Sequence, residues 1–431
     1  MNLTQSGRRR FLKNTAAFAG LAAAGVRPTS EQMADLNAPP SGERDLHGYG
    51  ARSHYETSIR TGSLGGYETT PTGPRQRDFG FRTPLQHSAG IITPASLHFI
   101  VSHGYDPPDL DPRHHRLLIH GMVDRPLTFS VEDLLRLPSV SRLHFLECHG
   151  NSAPSGAPTA AARIAPNATV QDTHGLTSCS EWTGVPLSLL LDQVGVKKGA
   201  TWIVAEGAEP GKHAKSIPIE KAADDVLVAY SQNGEALRPE QGYPLRLLVP
   251  GWQGINNVKW LRQIKLVDEP YMFMMETTKY PSVHPDGTSR WFEFELGAKS
   301  VITRPSGGQE LPSRGFYEIT GLAWSGAAAV RQVEVSTDGG KTWADAKLQE
   351  PIARKAHTRF TFPWTWKGEE SVLQSRCTDE TGQVQPTINV IAKSLNIEVD
   401  YIRKTSAMVG DFNAIQPWRV DRSGRIQNAL L

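Results

Sequence analysis

The chain has 431 residues, 39% of them hydrophobic and 21% charged, and its 46 basic and 44 acidic residues leave a formal charge of +2. That length exceeds what one core usually fills, so two folded domains with tails are expected; so near-neutral a chain has no global field for gripping nucleic acid or an anionic membrane. Its three cysteines, Cys148, Cys179 and Cys377, exclude a disulfide framework, a CxxC zinc site and covalent haem attachment.

In chain order, the first predicted element is residues 1–30. Arg8, Arg9 and Arg10 precede Phe11-Leu12-Lys13 and a mild apolar run from Ala16 to Val26, with Ala22-Ala23-Ala24 as a small-residue cleavage site. A basic segment, a weak apolar segment and a processing site make an export leader. "RRRFLK" resembles the twin-arginine motif, so a periplasmic location is expected; a disordered basic tail is the alternative. No later stretch reaches the roughly 18 to 20 apolar residues of a membrane span. Residues 31–90 are polar and rich in Gly, Pro, Ser and Arg, which predicts an extended arm rather than a domain.

From 91 to 270 the texture changes. Short apolar runs at Arg116–Gly121, Trp202–Ala205 and Leu245–Val249 predict strands, and amphipathic stretches at Val131–Leu137 and Leu187–Val194 predict short helices, together a mixed α+β domain. Residues 271–298 read as a connecting segment. From 299 to 400 strand follows strand, at Phe316–Ile319, Val330–Ser336, Arg359–Phe362 and Ser371–Gln374, with a tight turn at Asp338-Gly339-Gly340; this predicts an immunoglobulin-like β-sandwich. Residues 401–431 are expected to be an irregular tail wrapping the surface.

Cys148 ends an apolar strand-like run just before a Gly-Asn turn, where a thiol is held rigidly and its far side stays open to a ligand. A lone cysteine is more often a small buried hydrophobe, and the residues alone leave both readings open. Arg246 and Lys259 are each flanked by apolar strand residues. A core does not hold such charges without an anionic partner, which can be an internal carboxylate or a bound phosphate. Tyr280, before Pro281, is on its own an ordinary packing residue.

Five blocks in order resemble the sulfite oxidase family of molybdopterin enzymes. Glu147-Cys148-His149-Gly150-Asn151 is similar to the family's ECAGN motif, Glu181–Leu187 to its WxGxxL, and Gly242–Gly251 to its HG[FY]PxRxxxPG. Asn257–Leu261 is similar to its VKWL, and Val333–Trp343 to the signature of its dimerisation domain. The resemblance implies a molybdopterin-binding domain of the sulfite oxidase fold at 91–270, followed by an Ig-like dimerisation domain at 299–400. It implies a molybdenum–molybdopterin cofactor with the Cys148 thiolate as metal ligand and Tyr280 as the active-site tyrosine. Cofactor contacts would come from Val101, Ser102, His103, Glu209, Gln241, Arg246, Asn257, Val258 and Lys259, partly through backbone groups. Gln241 stands where the family has a histidine, and offers an amide but no titratable group.

Two departures bear on substrate. Where sulfite-oxidising relatives carry arginines, this chain has Ser102 followed by His103, and the neutral run Ser152-Ala153-Pro154. Guanidinium groups suit a small dianion, so their loss argues against free sulfite. Thr173–Trp182 and Glu147–Gly156 resemble the sulfane dehydrogenase branch of the family. That branch implies oxidation of a sulfane sulfur carried on a cysteine of a sulfur-carrier protein, electron transfer to a separate c-type cytochrome subunit, no haem in this chain, and a homodimer within a hetero-oligomer. The alternatives are a sulfite dehydrogenase and, from another class, a cofactor-free periplasmic binding or scaffold protein with Cys148 in its core. His284-Pro285-Asp286-Gly287 is similar to a haem-binding HPGG but lacks a domain around it, and His114-His115 and the scattered histidines, which lack metal-ligand partners at regular spacing, are expected on the solvated surface.

Overall fold

The computed structural model of the protein describes residues 52, 53, 55–64, 79–103, 106–153, 164–283, 288–404 and 411–430. The expected leader at 1–30 and the run at 284–287 lie outside them. Two compact units are distinguished, Met1–Thr57 and Ser58–Leu431, and every element below belongs to the second. Among the described residues no helix is long and apolar enough to cross a membrane.

One five-stranded sheet has the order Leu127–Ser130, Arg116–Gly121, Leu261–Val267, Trp202–Gly207, Ala214–Pro218. Leu261–Val267 runs parallel to Arg116–Gly121; the other neighbours are antiparallel. Alternation drives this layer, since Leu117 and Ile119 point inward from their strand and meet Ile203, Ala205, Ile264 and Leu266. Helix Leu187–Val194 lies on that core with Leu187, Leu190, Leu191 and Val194 buried, the spacing of a single helical face. A reciprocal Ser130–Asp133 capping box starts the short helix Val131–Leu135.

The second sheet runs Glu235–Ala236, Leu227–Gln232, Thr177–Pro186, Val140–Glu147, with Arg246–Leu248 also paired to Leu227–Gln232. Thr177–Pro186 is buried on both faces along most of its length, so it lacks the alternation that marks half-exposed strands. The expected extended arm differs from the structure at its described ends. Thr61–Leu64 and Phe79–Arg82 form a three-stranded antiparallel sheet with Ile100–Ser102. Their cause is long-range, because Arg82 is buried with its guanidinium 3.6 Å from the Asp172 carboxylate and the Thr83 N–H donates to Gly175.

The C-terminal part is a β-sandwich. A four-stranded sheet, Lys299–Arg304, Gly315–Trp324, Thr358–Trp366, Lys347–Gln349, faces a five-stranded one, Ala344–Asp345, Val330–Ser336, Ser371–Asp379, Trp418–Val420, Ile426–Asn428. Gly339 and Gly340 take the left-handed conformations of the expected turn. The tail is not a surface wrapping. It supplies the last two strands, and Trp418 is wholly buried with its indole N–H donating to Ile302. His115 is also buried, bonded through Nε2 to the Leu261 carbonyl, while its neighbour His114 is exposed. The sandwich core does not stop at the sandwich: Leu85, Phe145, Val170 and Cys179 pack into the same cluster as Val301, Ile319, Trp324 and Phe360.

Candidate active site

Strand Val140–Glu147 delivers Cys148 to the wall of a cavity of about 340 Å³. The Cys148 N–H donates to Leu176, and its carbonyl accepts from Asn151 in a tight turn. Gly254 lets the following loop pass behind: a Cβ there would sit 2.8 Å from the Glu147 carbonyl and 3.4 Å from Cys148 Cα. Val101, Ser102, His103, Cys148, Glu209, Gln241, Arg246, Asn257, Lys259 and Tyr280 all line this one cavity.

Arg246 and Lys259 hold its inner end. The Arg246 guanidinium, 5.0 Å over the Trp182 ring, donates through Nη1 to the Gln241 carbonyl and through Nη2 to that of Asn257. Lys259 Nζ donates to the carbonyls of Val101 and Glu240. Among the described residues neither cation has a carboxylate within ion-pairing distance, so burial pushes Arg246 down to about 9, and burial plus the Arg246 charge brings Lys259 to about 7. A buried cation without an anion is costly. An internal salt bridge is therefore not what these residues make; a bound anion is what they lack.

Other buried polar atoms on the same wall are unmatched. His98 Nδ1 bonds to the Phe99 carbonyl and His213 Nε2 to that of Ile255, leaving His98 Nε2 and His213 Nδ1 without hydrogen-bond partners. Burial pushes both imidazoles to about 3 and keeps them neutral. Glu209 accepts from the His213 N–H through Oε1, but its Oε2 has no partner, and burial raises its pKa. Arg246 Nε is also unpartnered. Native proteins seldom leave so many buried polar atoms unmatched. A ring system rich in N–H and C=O groups with a phosphate at one end, as a pterin cofactor is, fits this donor and acceptor set. Arg246 and Lys259 would take the phosphate.

Three expected cofactor contacts are placed differently. Val258 is outside the cavity: its side chain is in the hydrophobic core, its N–H is bonded to Asn256 and its carbonyl accepts from Leu247. Gln241 lines the wall, but its amide braces the site, donating to Phe99 and accepting from Arg246. Asn257 likewise spends its side chain on Val249 and Gln253. Ala153, at the second missing arginine, packs with the C-terminal apolar cluster around Ile391 and Phe412.

Tyr280 follows a π-helical turn, Met275–Lys279, and its hydroxyl lies 3.1 Å from His103 Nε2. His149 packs edge-on against the Tyr280 ring at 5.3 Å between centroids and bonds through Nδ1 to Gln253 at 2.8 Å. The Lys215–Glu276 pair, buried at 3.6 Å, flanks the same ring. The Lys215–Glu276 pair had no reading in the sequence, and the scattered histidines were expected on the solvated surface; His98, His149 and His213 are instead buried in the wall of the site, because one ring nitrogen of each finds a partner in Phe99, Gln253 or Ile255. Only His149 carried a signal, as the residue that replaces the alanine of the ECAGN pattern.

Residues 103–274 match the oxidoreductase molybdopterin binding domain, and residues 290–397 the Mo-co oxidoreductase dimerisation domain. The NADH nitrate reductase of Ulva prolifera is 30% identical over 340 residues, 69% of this chain, and that of Solanum lycopersicum 33% identical over 343 residues, also 69%. The matches span only 38% and 36% of those two proteins' own lengths. The crystal structure of the sulfane dehydrogenase SoxCD from Paracoccus pantotrophus contains a chain similar at a TM-score of 0.82 and 36% identity, over 94% of this chain and 99% of that one.

Proposed function

Because this chain belongs to the sulfite oxidase family of molybdopterin enzymes, and so is a molybdenum-cofactor oxidoreductase, we propose that it is a sulfane dehydrogenase, oxidising sulfur bound to a cysteine of a carrier protein and passing electrons to a c-type cytochrome. The observation that carries the choice of substrate is the pair of missing arginines: Ser102 lines the cavity where a guanidinium would grip a free oxyanion, and Ala153 is packed away from it. The likeness over 94% of the chain to a protein named as a sulfane dehydrogenase supports the same reading.

When bound, a molybdenum–pterin centre supplies two-electron oxidation of sulfur with oxygen drawn from water. Cys148 would be the protein's ligand to the metal, and Arg246 and Lys259 would anchor the cofactor's phosphate. Leu146, Phe273 and Met275 give the cavity its apolar wall. The Tyr280 hydroxyl and His103 Nε2 share a hydrogen bond, so a proton can be held or passed between them beside the substrate.

The tests are reduction of a partner cytochrome by purified enzyme with sulfite or with a persulfide-loaded carrier protein as electron donor, and reoxidation of the reduced enzyme by nitrate. Each lost cationic contact is worth about 1.5 to 3 kcal/mol, or roughly 10- to 150-fold. Sulfite is expected to be poorer by one to two such factors. Efficient turnover of sulfite with no response to the loaded carrier reassigns the protein as a sulfite dehydrogenase, and nitrate-dependent reoxidation aligns it with the nitrate reductases. Ser102→Arg should improve sulfite affinity.

Assembly and location belong to the same proposal, resting on the dimerisation domain at 290–397 and the twin-arginine motif at Arg8–Lys13. Protein recovered from the periplasmic fraction is expected to sediment as a dimer at micromolar concentration. A monomer, or recovery from the cytoplasm alone, contradicts it.

A further inference from the structure

Strand Ala214–Pro218 is the outermost of its sheet, yet four of its five residues are buried. An open strand edge needs a cover, and here the segment from Tyr271 to Lys279 supplies it. Glu276 joins that cover to the strand. Its Oε1 accepts from the Ser216 N–H at 2.6 Å, and its Oε2 from the Phe273 N–H at 3.1 Å and the Ser216 hydroxyl at 3.3 Å. The same Ser216 oxygen accepts from the Tyr271 N–H at 3.0 Å. Lys215 Nζ, 3.6 Å from Oε1, gives the buried carboxylate its counter-ion.

What the cover carries is the outer wall of the cofactor cavity. Phe273, Met274, Met275 and Tyr280 line that cavity, whereas Lys215 and Glu276 are not among its lining. Lys215 Nζ lies 6.0 Å from the centre of the Tyr280 ring, so the pair stands beside the tyrosine without entering the site. Met272 has a φ of +26°, a conformation that a non-glycine residue keeps only where its surroundings enforce it. Its two neighbours, Tyr271 and Phe273, are the residues whose N–H groups bond to Ser216 and Glu276. The Phe273 carbonyl accepts in turn from the Glu276 and Thr277 N–H groups, and the π-helical turn Met275–Lys279 then leads directly to Tyr280.

We infer that Glu276 is a positioning residue for Tyr280: bonded to Ser216 and Phe273, it latches the Tyr271–Tyr280 segment to the edge of the sheet and so fixes where the tyrosine hydroxyl stands in the cavity. The inference rests on the reading of Tyr280 as the active-site tyrosine. Glutamine at this position keeps the volume but only one accepting oxygen, so either the Ser216 or the Phe273 N–H then faces another N–H. Burial already lowers the Lys215 pKa, with Glu276 the opposing influence, so a lysine left without its counter-ion can shed its proton and the fold can survive the change.

The experiment takes two readings on molybdenum-loaded, full-length Glu276→Gln. Amide hydrogen exchange in peptides spanning 271–280 should quicken roughly 10- to 150-fold, the equivalent of one charge-assisted hydrogen bond, while peptides from Arg116–Gly121 keep their protection. Turnover per molybdenum, with ferricyanide as oxidant and sulfite or the persulfide-loaded carrier as donor, should show kcat lowered by up to about 100-fold at unchanged KM. Tyr280→Phe removes the hydroxyl itself, and adding Glu276→Gln to it should cost little further, because the latch has nothing left to place. Losses that add in the double variant, or exchange at 271–280 that stays as slow as before, overturn the inference alone. Full turnover in Tyr280→Phe overturns it together with the reading of that tyrosine. Should Glu276→Gln not fold, Ser216→Ala removes only the hydroxyl that bridges Tyr271 and Glu276, and the same two criteria apply to it. An enzyme that turns over neither donor overturns the proposed function, and the exchange rates then decide the latch by themselves.

Discussion

Cys148→Ser is expected to give a folded protein that still carries pterin but has lost turnover by well over about 100-fold. Groups that only support a metal's ligands cost about 10- to 100-fold when removed, and here the ligand itself is replaced. A thiolate is a far better donor to a soft metal centre than a neutral alcohol. Folding should survive because Ser is nearly isosteric and the position is only half-buried, with its backbone tied to Leu176 and Asn151. The measurements are the rate with each sulfur substrate, molybdenum by elemental analysis, and pterin by fluorescence after oxidative release. Unchanged turnover removes Cys148 from the metal. Cys179 and Cys377, both wholly buried in the sandwich core, should show packing penalties and no change in molybdenum.

Arg246→Gln should empty the cofactor cavity while leaving the apoprotein's melting temperature almost unmoved. The charged side chain is fully enclosed, and burial already holds its pKa near 9 for want of an anion. A phosphate supplies that anion. Losing two charge-assisted hydrogen bonds to it costs about 3 to 6 kcal/mol, roughly 10²- to 10⁴-fold in cofactor affinity. Without cofactor the same substitution removes an unpaired buried charge and keeps an amide for the Gln241 and Asn257 carbonyls, so gain and loss offset. Pterin per chain and calorimetry of the cofactor-free protein separate these outcomes. Full pterin occupancy in the variant shows that Arg246 is not a phosphate anchor.

What the sequence disclosed follows from how local each signal is. Strands Arg116–Gly121 and Val330–Ser336 and helix Leu187–Val194 were legible to the residue, because each shows one face to a core and one to water. Strands of three residues, such as Trp418–Val420 and Ile426–Asn428, are too short to show a period, and Trp418 is held by Ile302, far away in the chain. Cys148, Arg246, Lys259 and Tyr280 were found through motif resemblance, and the fold brings them to one cavity. His98 and His213 were missed because nothing near them in sequence marks them. They matter only after folding strips them of water and pairs one nitrogen of each with a backbone carbonyl. Val258 was misplaced for the converse reason, since a motif names a stretch of chain but not which of its residues faces the ligand.

The core cluster that joins Phe145 and Cys179 to the interior of the sandwich bears on how such a chain can be altered. Two segments that match separate domain families look like parts that could be exchanged independently. Here the strand leading to Cys148 shares its packing with the neighbouring domain, so a graft at the 274–290 junction would strand apolar side chains on both pieces. A recombinant chain must carry Leu85, Phe145, Val170 and Cys179 along with the sandwich they fill. The lineage of the metal site and the lineage of its C-terminal partner are thereby tied to one another by volume, residue against residue, more tightly than by any peptide linker.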